Sequence, residues 1–600
     1  MMDDSLTGKR SDAGVFESQM TLAEISACVR TTWRLIVAHK AEAAAAGMLL
    51  LLGISLVAAI SYKSITNDEA AHIPAGYYHL VAGNYQLNPE HPPLVKMWAA
   101  LPFLFIQPDE PPAPNNEPED FAQRSAGVEE QFWYKNRSQF LTIGFWPRIM
   151  MIPLTIALGI VIFLFTRRLS NSLAALLALF LFCVEPTVLA HGRVVHTDLP
   201  ATLGYLLFVF SLFRYHQLPT RRNAIVLGIV TALALLTKYS LVILAPLLLL
   251  YACWRAWSYR QKSSELKTLV AHSAAVILIV IVIINCAYFF RHDPLSSADF
   301  EWLSSSSGSY SGAVVGFVSA LSHLIPSYYL FGVYKVVLHN HFGHPAFLLG
   351  QYSNDGWPSY FPVAFALKTT LPFLVLSVAA LFWASFQIVA RRKVKLLWLL
   401  VPFMIYLAIS MSSSINIGIR HFLPAFPFLF ILAGLMLERL MRVAPRSIGA
   451  VVISILLGWM LIEAVRTFPN YTPYMNQLAS GPHWKYLSDS NVEWGDDVNS
   501  LAAYLKSRGE TQVRAALSGG WFTLPLYGIH YVSLAPPGKE HVETRYVAIG
   551  ASFLNGSTVP SFEVDGKLIG DSERVNFFEA YRNRTPEAVF GGEIYLFRER

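Results

Sequence analysis

An apolar run long enough to cross a bilayer leaves a chain few options, and this chain has many such runs. About 30 Å of hydrocarbon takes about 20 residues of helix, and a backbone surrounded by lipid must satisfy its own hydrogen bonds. The stretches 43–60, 147–166, 172–190, 199–213, 223–237, 240–257, 268–290, 360–388, 396–411, 422–438 and 448–465 fit this requirement. The expected architecture is an all-α polytopic membrane protein with about eleven transmembrane helices. Composition agrees: AVILMFWYC reach 54% and charged residues only 14%, against about 25% charged in a soluble domain. A soluble multidomain enzyme is excluded, and so is disorder over most of the chain. The four cysteines (Cys28, Cys183, Cys253, Cys286) stand singly and give neither a disulfide framework nor a CxxC pair. A net charge of +6, dispersed along the chain, gives no footprint for nucleic acid.

Charge placement sets the orientation. With a cytoplasmic N-terminus, the inner connections at 167–168, 214–222, 255–267, 391–395 and 439–446 are all basic, as the positive-inside rule requires. The outer connections include the acidic stretch with Asp109, Glu110, Glu117, Glu119, Asp120, Glu129 and Glu130. An odd number of spans then puts the tail outside. The expected organisation is a cytoplasmic segment 1–42, a membrane domain 43–468 with large outer loops 61–146 and 291–359, and an extracytoplasmic α/β domain 469–600. A cell inner (plasma) membrane location follows. Within the first loop, Leu94 to Ile106 suits a helix lying in the interface. In the tail, the run from Leu501 reads as an amphipathic helix, and the runs from Tyr546 and Glu593 read as strands.

This topology sorts the polar residues by face. Asp68 and Glu69 follow the first span; His196 and Asp198 introduce the fourth; Lys238 lies between the fifth and sixth; Arg420 and His421 introduce the tenth. All fall outside. Adjacent carboxylates at a span exit are costly near lipid and need a reason, the bland one being a solvated helix cap. His72, four residues after Asp68, shares its helical face and could share a metal or a proton. Asn88 to Lys96 places Glu90, His91 and Lys96 on a proline-stiffened turn that can hold side chains against a site, or simply finish a surface turn. His339, His341 and His344 have metal-like spacing but suit hydrogen-bonded structure equally. A lone Arg420 would be a snorkelling anchor. Taken with Lys238 and the carboxylates on the same face, it makes a site for a phosphate-linked lipid.

Asp68-Glu69, the His91-Pro92-Pro93-Leu94 turn, Thr197-Asp198-Leu199-Pro200, Arg420-His421-Phe422-Leu423-Pro424 and the SDSNVEWGDD run from Ser488 to Asp497 carry a family resemblance. From about residue 43 the chain resembles the C-type-fold membrane glycosyltransferases of the dolichyl-phosphate-mannose protein O-mannosyltransferase superfamily and its bacterial relatives, which include the lipid A aminoarabinose transferases. The resemblance implies an inverting glycosyltransferase that moves a sugar from a polyprenyl-phosphate donor, among membrane lipids, to a hydroxyl of a protein, lipid or glycan acceptor. It implies Asp68 as general base with Glu69 assisting, Asp198 as a second acidic motif beside His196, and Arg420 with Lys238 as phosphate contacts. The aminoarabinose transferases carry Lys where this turn has His91 after Glu90, and the protein mannosyltransferases carry a β-rich insertion in the second large loop that is not evident here. No cofactor is specified; the acids and histidines leave a divalent metal cation open. The competing reading is a transporter or flippase of a lipid-linked sugar, which predicts polar groups on both faces and an inverted repeat.

Overall fold

The computed structural model describes residues 39–112, 121–443, 445–536, 542–564 and 567–599. Residues 1–38, with Cys28, and the acids Glu117, Glu119 and Asp120 lie outside the described residues.

Among the described residues, eight helices are long and apolar enough to cross a membrane: Lys40–Tyr62, Arg137–Leu169, Tyr239–Ser258, Ser263–Ala287, Leu371–Arg391, Val394–Met411, Ile419–Val443 and Ser447–Thr467. The other three runs are helical but fall short in length or composition, so a count of eleven spans is not reached. Ser172–Val184 has 13 residues and stops at the buried Glu185, with Pro186 opening a separate short helix, Pro186–His191. Asp198–Gln217 carries Asp198, Arg214 and His216 at its ends, and Arg221–Leu235 has 15 residues. The helices pack around Ile419–Val443, whose most apolar window is 89% buried, whereas Tyr239–Ser258 buries only 11% of its own. Close approach there depends on a small residue: a Cβ on Gly434 would lie 2.6 Å from the Ala174 carbonyl oxygen.

The segment 61–146 folds inward. Asn67–Ala82 begins with a capping box, in which the Thr66 hydroxyl accepts from Glu69 N and the Glu69 carboxylate accepts from Thr66 N, and it stops at Gly83 with φ +59. Leu94 to Ile106 does not form one helix. It divides into Pro93–Ala100, which buries Val95, Lys96 and Ala99, and Phe103–Ile106, with the exposed Phe105. Pro93–Ala100 packs so closely on Asn67–Ala82 that a Cβ on Gly76 would meet the Lys96 carbonyl oxygen at 2.1 Å. The segment 291–359 holds the helices Ser297–Ser306, Ser311–Leu321 and Ser327–Phe342 and a hairpin pairing Ala346–Leu348 with Gln351–Ser353.

The tail carries a five-stranded mixed sheet. Across it run His530–Ser533, Gln512–Ala516, Tyr546–Gly550, Ile594–Arg598 and Ala588–Phe590, the first three parallel and the last two antiparallel to their neighbours. Helix Val498–Ser507 buries Val498, Leu501, Ala502 and Leu505, one helical face, in the core beside the sheet. Before the sheet begins, the chain from 469 to 497 runs into the end of the helical bundle. Lys368, buried, donates to the carbonyls of Thr472 (2.6 Å) and Asn491 (2.5 Å).

Candidate active site

Breaks between helices gather at one end of the bundle: 63–67, 192–198, 236–239 and 416–420, met by 488–497 of the tail. A helix break exposes polar backbone and frees side chains to converge, which a continuous span cannot do.

Asp68 stands in the first turn of Asn67–Ala82 with both carboxylate oxygens occupied. Arg420 donates through Nη1 to Oδ2, and Trp494 donates through Nε1 to Oδ1 at 3.1 Å. The Arg420 guanidinium carbon lies 4.7 Å from the centroid of the Trp494 ring. Burial alone would raise the Asp68 carboxyl, but the Arg420 charge, the neighbouring His72 and the two hydrogen bonds outweigh it and hold Asp68 well below the usual carboxylate range. Asp68 is therefore ionised, and its side chain is 22% exposed. Arg420 keeps Nε without a partner among the described residues.

A second acid–base pair adjoins the first. Lys238 donates to Asp198 Oδ1, and the His196 ring lies with Nδ1 3.2 Å from Asp198 Oδ2. His196 Nε2 lies 2.9 Å from the His191 carbonyl oxygen and Nδ1 3.1 Å from Asp198 N, so both ring nitrogens are engaged within the protein. The rings of His191, His196 and Trp494 lie 5.4–5.6 Å from one another and link the two pairs. His72 and His91 stack edge to face at 4.8 Å, and His91 Nδ1 lies 3.4 Å from Thr197 Oγ1. Burial pushes His72 down to about 4 despite the pull of Asp68, and it pushes His91 well below the ordinary histidine value. Both are neutral at pH 7, and His72 Nδ1 has no partner among the described residues.

Glu69 is held differently from its neighbour. It is fully buried; Oε1 accepts from Arg148 Nε (2.8 Å) and Val195 N (2.9 Å), and Oε2 accepts from Thr66 N (2.8 Å) and Arg148 Nη2 (2.5 Å). It is thus a helix cap, though a buried one, and it fixes the start of the Asp68 helix. Glu90 pairs with Lys335 at 3.1 Å and has a side chain 39% exposed, which turns it toward the second loop rather than toward Asp68 or Asp198.

The structure does not assemble the three loop histidines. His339 Nε2 bonds His344 Nδ1 at 3.1 Å, while His341, two residues along the same helix, faces elsewhere because i and i+2 side chains diverge. Among the described residues, the acids whose oxygens lie within 4.8 Å of one another are Asp496, Asp497 and Glu593. Lys63 donates to Asp497 Oδ2 and Arg193 to Asp496 Oδ2, each at 2.6 Å, so two buried cations already oppose three carboxyls. Burial and the neighbouring Asp496 and Asp497 push Glu593 well above the carboxylate range, and one proton on Glu593 closes the charge. A divalent ion would leave an excess positive charge in a dry site. At Asp68 and Asp198 it would have to displace Arg420 and Lys238. Of the two, Asp496, Asp497 and Glu593 are the possible metal-holding acids, since Glu593 Oε1 and Oε2 and Asp496 Oδ1 have no partner among the described residues, while Lys63 and Arg193 favour a proton there over a second full charge.

Trp494, Arg148, Lys63 and Arg193 carried no recognisable role in the sequence. Arg148 sits inside an apolar run, and a buried arginine there could have signalled a buried acid partner. Trp494 gave no local sign of its contacts.

Residues 82–294 match the family model of the dolichyl-phosphate-mannose-protein mannosyltransferases. That stretch contains Glu90, His91, His196, Asp198 and Lys238; Asp68 and Glu69 precede it and Arg420 follows it. No curated protein matches the chain. Among solved structures, ArnT from Cupriavidus metallidurans bound to undecaprenyl phosphate is similar with a TM-score of 0.45 at 13% identity, over 87% of this chain and 96% of that one. The apo form of the same protein gives 0.46 at 13% identity, over 90% and 97%. The apo oligosaccharyltransferase from Archaeoglobus fulgidus gives 0.44 at 11% identity, over 85% and 70%.

Proposed function

We propose that this chain is an inverting glycosyltransferase that moves a sugar from a polyprenyl-phosphate donor to a hydroxyl of a protein, a lipid or a glycan at the outer face of the membrane. The observation that carries this reading is the direct pairing of Asp68 with Arg420 at the end of the bundle where Asp198 and Lys238 also pair. The similarity of residues 82–294 to the mannosyltransferase family model supports it.

An alcohol is a poor nucleophile at neutral pH, so a carboxylate must take its proton as the new C–O bond forms. Asp68 is the ionised acid placed for this. The leaving lipid phosphate moves from one negative charge toward two, so a fixed guanidinium stabilises the transition state more than the ground state. Arg420, with Nε unpartnered, supplies that contact. Lys238 supplies a second, and Asp198 orients it. The departing phosphate needs no proton, so no second acid is required. Neutral His72 and His91 line the site as hydrogen-bond partners for sugar hydroxyls, and His196 braces Asp198. Glu69, saturated by Arg148 and backbone amides, positions the Asp68 helix. A prenyl chain leaves the bilayer at a cost of about 0.8 kcal/mol per CH₂, which fits catalytic groups placed at helix ends.

The test is turnover by purified protein with a panel of polyprenyl-phosphate-linked hexoses and pentoses, offered with a Ser/Thr peptide, lipid A or an oligosaccharide, scoring released polyprenyl phosphate. Release that requires both donor and acceptor supports transfer. Movement of donor across the bilayer with no release would support a carrier.

A further inference from the structure

Trp494 belongs to the tail, yet its side chain lies inside the site and is 2% exposed. The chain around it is pinned on two sides. Asn67 N donates to the Trp494 carbonyl (2.9 Å) and Ser64 N to the Asp496 carbonyl (2.8 Å). Ile419 N donates to Asn491 Oδ1 (2.9 Å) and Ser490 Oγ to the Ile417 carbonyl (2.7 Å). One tail segment therefore fixes the backbone that precedes Asp68 and the backbone that carries Arg420.

In this state each Asp68 oxygen accepts one hydrogen bond, from the indole on Oδ1 and from Arg420 on Oδ2. The full charge of Arg420 makes the carboxylate a weak proton acceptor, and its basicity rises when that contact opens. A lipid phosphate offers Arg420 several anionic oxygens, and bidentate guanidinium–phosphate pairing competes well with a single carboxylate contact. The indole has no such competitor. It is a lone neutral donor, walled by the rings of His191 and His196 at 5.4 and 5.6 Å.

We propose that Trp494 is a positioning residue: it holds Oδ1 of Asp68, and with it the orientation of the carboxylate, while the donor phosphate draws Arg420 off Oδ2, so that the base gains strength when donor is bound. This inference rests on Asp68 being the general base. In the step it serves, the acceptor O–H bond breaks with its proton passing to Oδ2 and the acceptor oxygen bonds to the anomeric carbon. The bond from that carbon to the phosphate oxygen breaks with its electron pair on the phosphate. The tail thereby completes the active site, and a resting enzyme without donor keeps its base weak.

Trp494→Phe removes the N–H and keeps the ring under Arg420. The titratable and charged groups that face Asp68 are Arg420, His421, His72, His91, Glu129 and Asp489, and the variant leaves all six in place. Measured on the donor–acceptor pair that the panel turns over, kcat falls by about 10- to 100-fold with the donor KM little changed. The acidic limb of the kcat–pH profile, which reports the donor-bound enzyme, moves up by about one pH unit because ionised Asp68 has lost a donor. Trp494→His, which restores a ring N–H, recovers part of both. Melting temperature and monodispersity establish that each variant is folded. A pH profile identical to that of the wild type, or equal losses in the Phe and His variants that simply follow a lowered melting temperature, would overturn the positioning role. Full activity in Asp68→Asn would instead overturn the reading of Asp68 as base.

Discussion

Arg420 donates directly to the carboxylate of Asp68, from which it is 352 residues distant in sequence. The pair joins the first turn of one helix to the entry of the most buried span, so the two groups proposed for proton removal and for phosphate stabilisation are held in contact by the fold itself.

Arg420 is expected to act on the donor. Arg420→Ala should lower kcat/KM for the polyprenyl-phosphate sugar by about 10²- to 10³-fold, as loss of a preorganised contact to a developing charge does. Arg420→Lys should recover only part of this, because an ammonium cannot reproduce the planar fork or stack equally well on Trp494. Steady-state kinetics with varied donor check both variants.

Glu69 and Arg148 are expected to govern stability. Their pair is 0% and 2% exposed, and removing one partner of a buried pair costs about 3–5 kcal/mol. Arg148→Ala should lower the melting temperature of the detergent-solubilised protein strongly, and Glu69→Gln, which keeps the shape but loses the charge, less so. Equal melting temperatures would show that the pair does not fasten the Asp68 helix.

Much of the fold was legible because long apolar runs admit only helices in lipid, and because the basic loops sort the ends of those helices by face. That alone placed Asp68, Asp198, Lys238 and Arg420 on one side. The failures have local causes. Glu185 and Pro186 break a run that reads as one span, and Asp198–Gln217 is more polar than a helix facing lipid because its neighbours bury it. Leu94 to Ile106 reads as one helix, but it divides before Phe103, and Gly76 admits its first half into the core. The contact of Trp494 with Asp68 spans 426 residues, and no periodicity or spacing records a contact of that length. Glu69 shows the opposite limit: the sequence showed an acidic pair, and only the Arg148 partner distinguishes the cap from the base.

The buried cluster of Lys63, Arg193, Asp496, Asp497 and Glu593 predicts a pH dependence of stability. Burial and its two acidic neighbours raise Glu593 in the folded protein. Stability from this group is full below the ordinary carboxylate value, where folded and unfolded chains both hold the proton. It is lost as pH rises from there through the raised folded value, because the unfolded chain releases its proton first. Melting curves of the wild type should fall across that window toward alkaline pH, and Glu593→Gln, which mimics the protonated acid, should show a shallower slope. Parallel slopes would contradict a proton on Glu593.

With two cations already in that cluster and the carboxylates of the site engaged by Arg420 and Lys238, a chelator should leave both melting temperature and turnover unchanged. A loss restored by added divalent ion would show that one of these acid groups holds a metal after all.

The most direct measurement is release of polyprenyl phosphate by purified Asp68→Asn in the presence of donor and acceptor. Asparagine keeps the shape and can still meet Trp494, so the protein should remain folded, with turnover below about one-hundredth of the wild-type rate, since it cannot take the acceptor proton. A folded Asp68→Asn protein that transfers sugar at the wild-type rate would contradict the account.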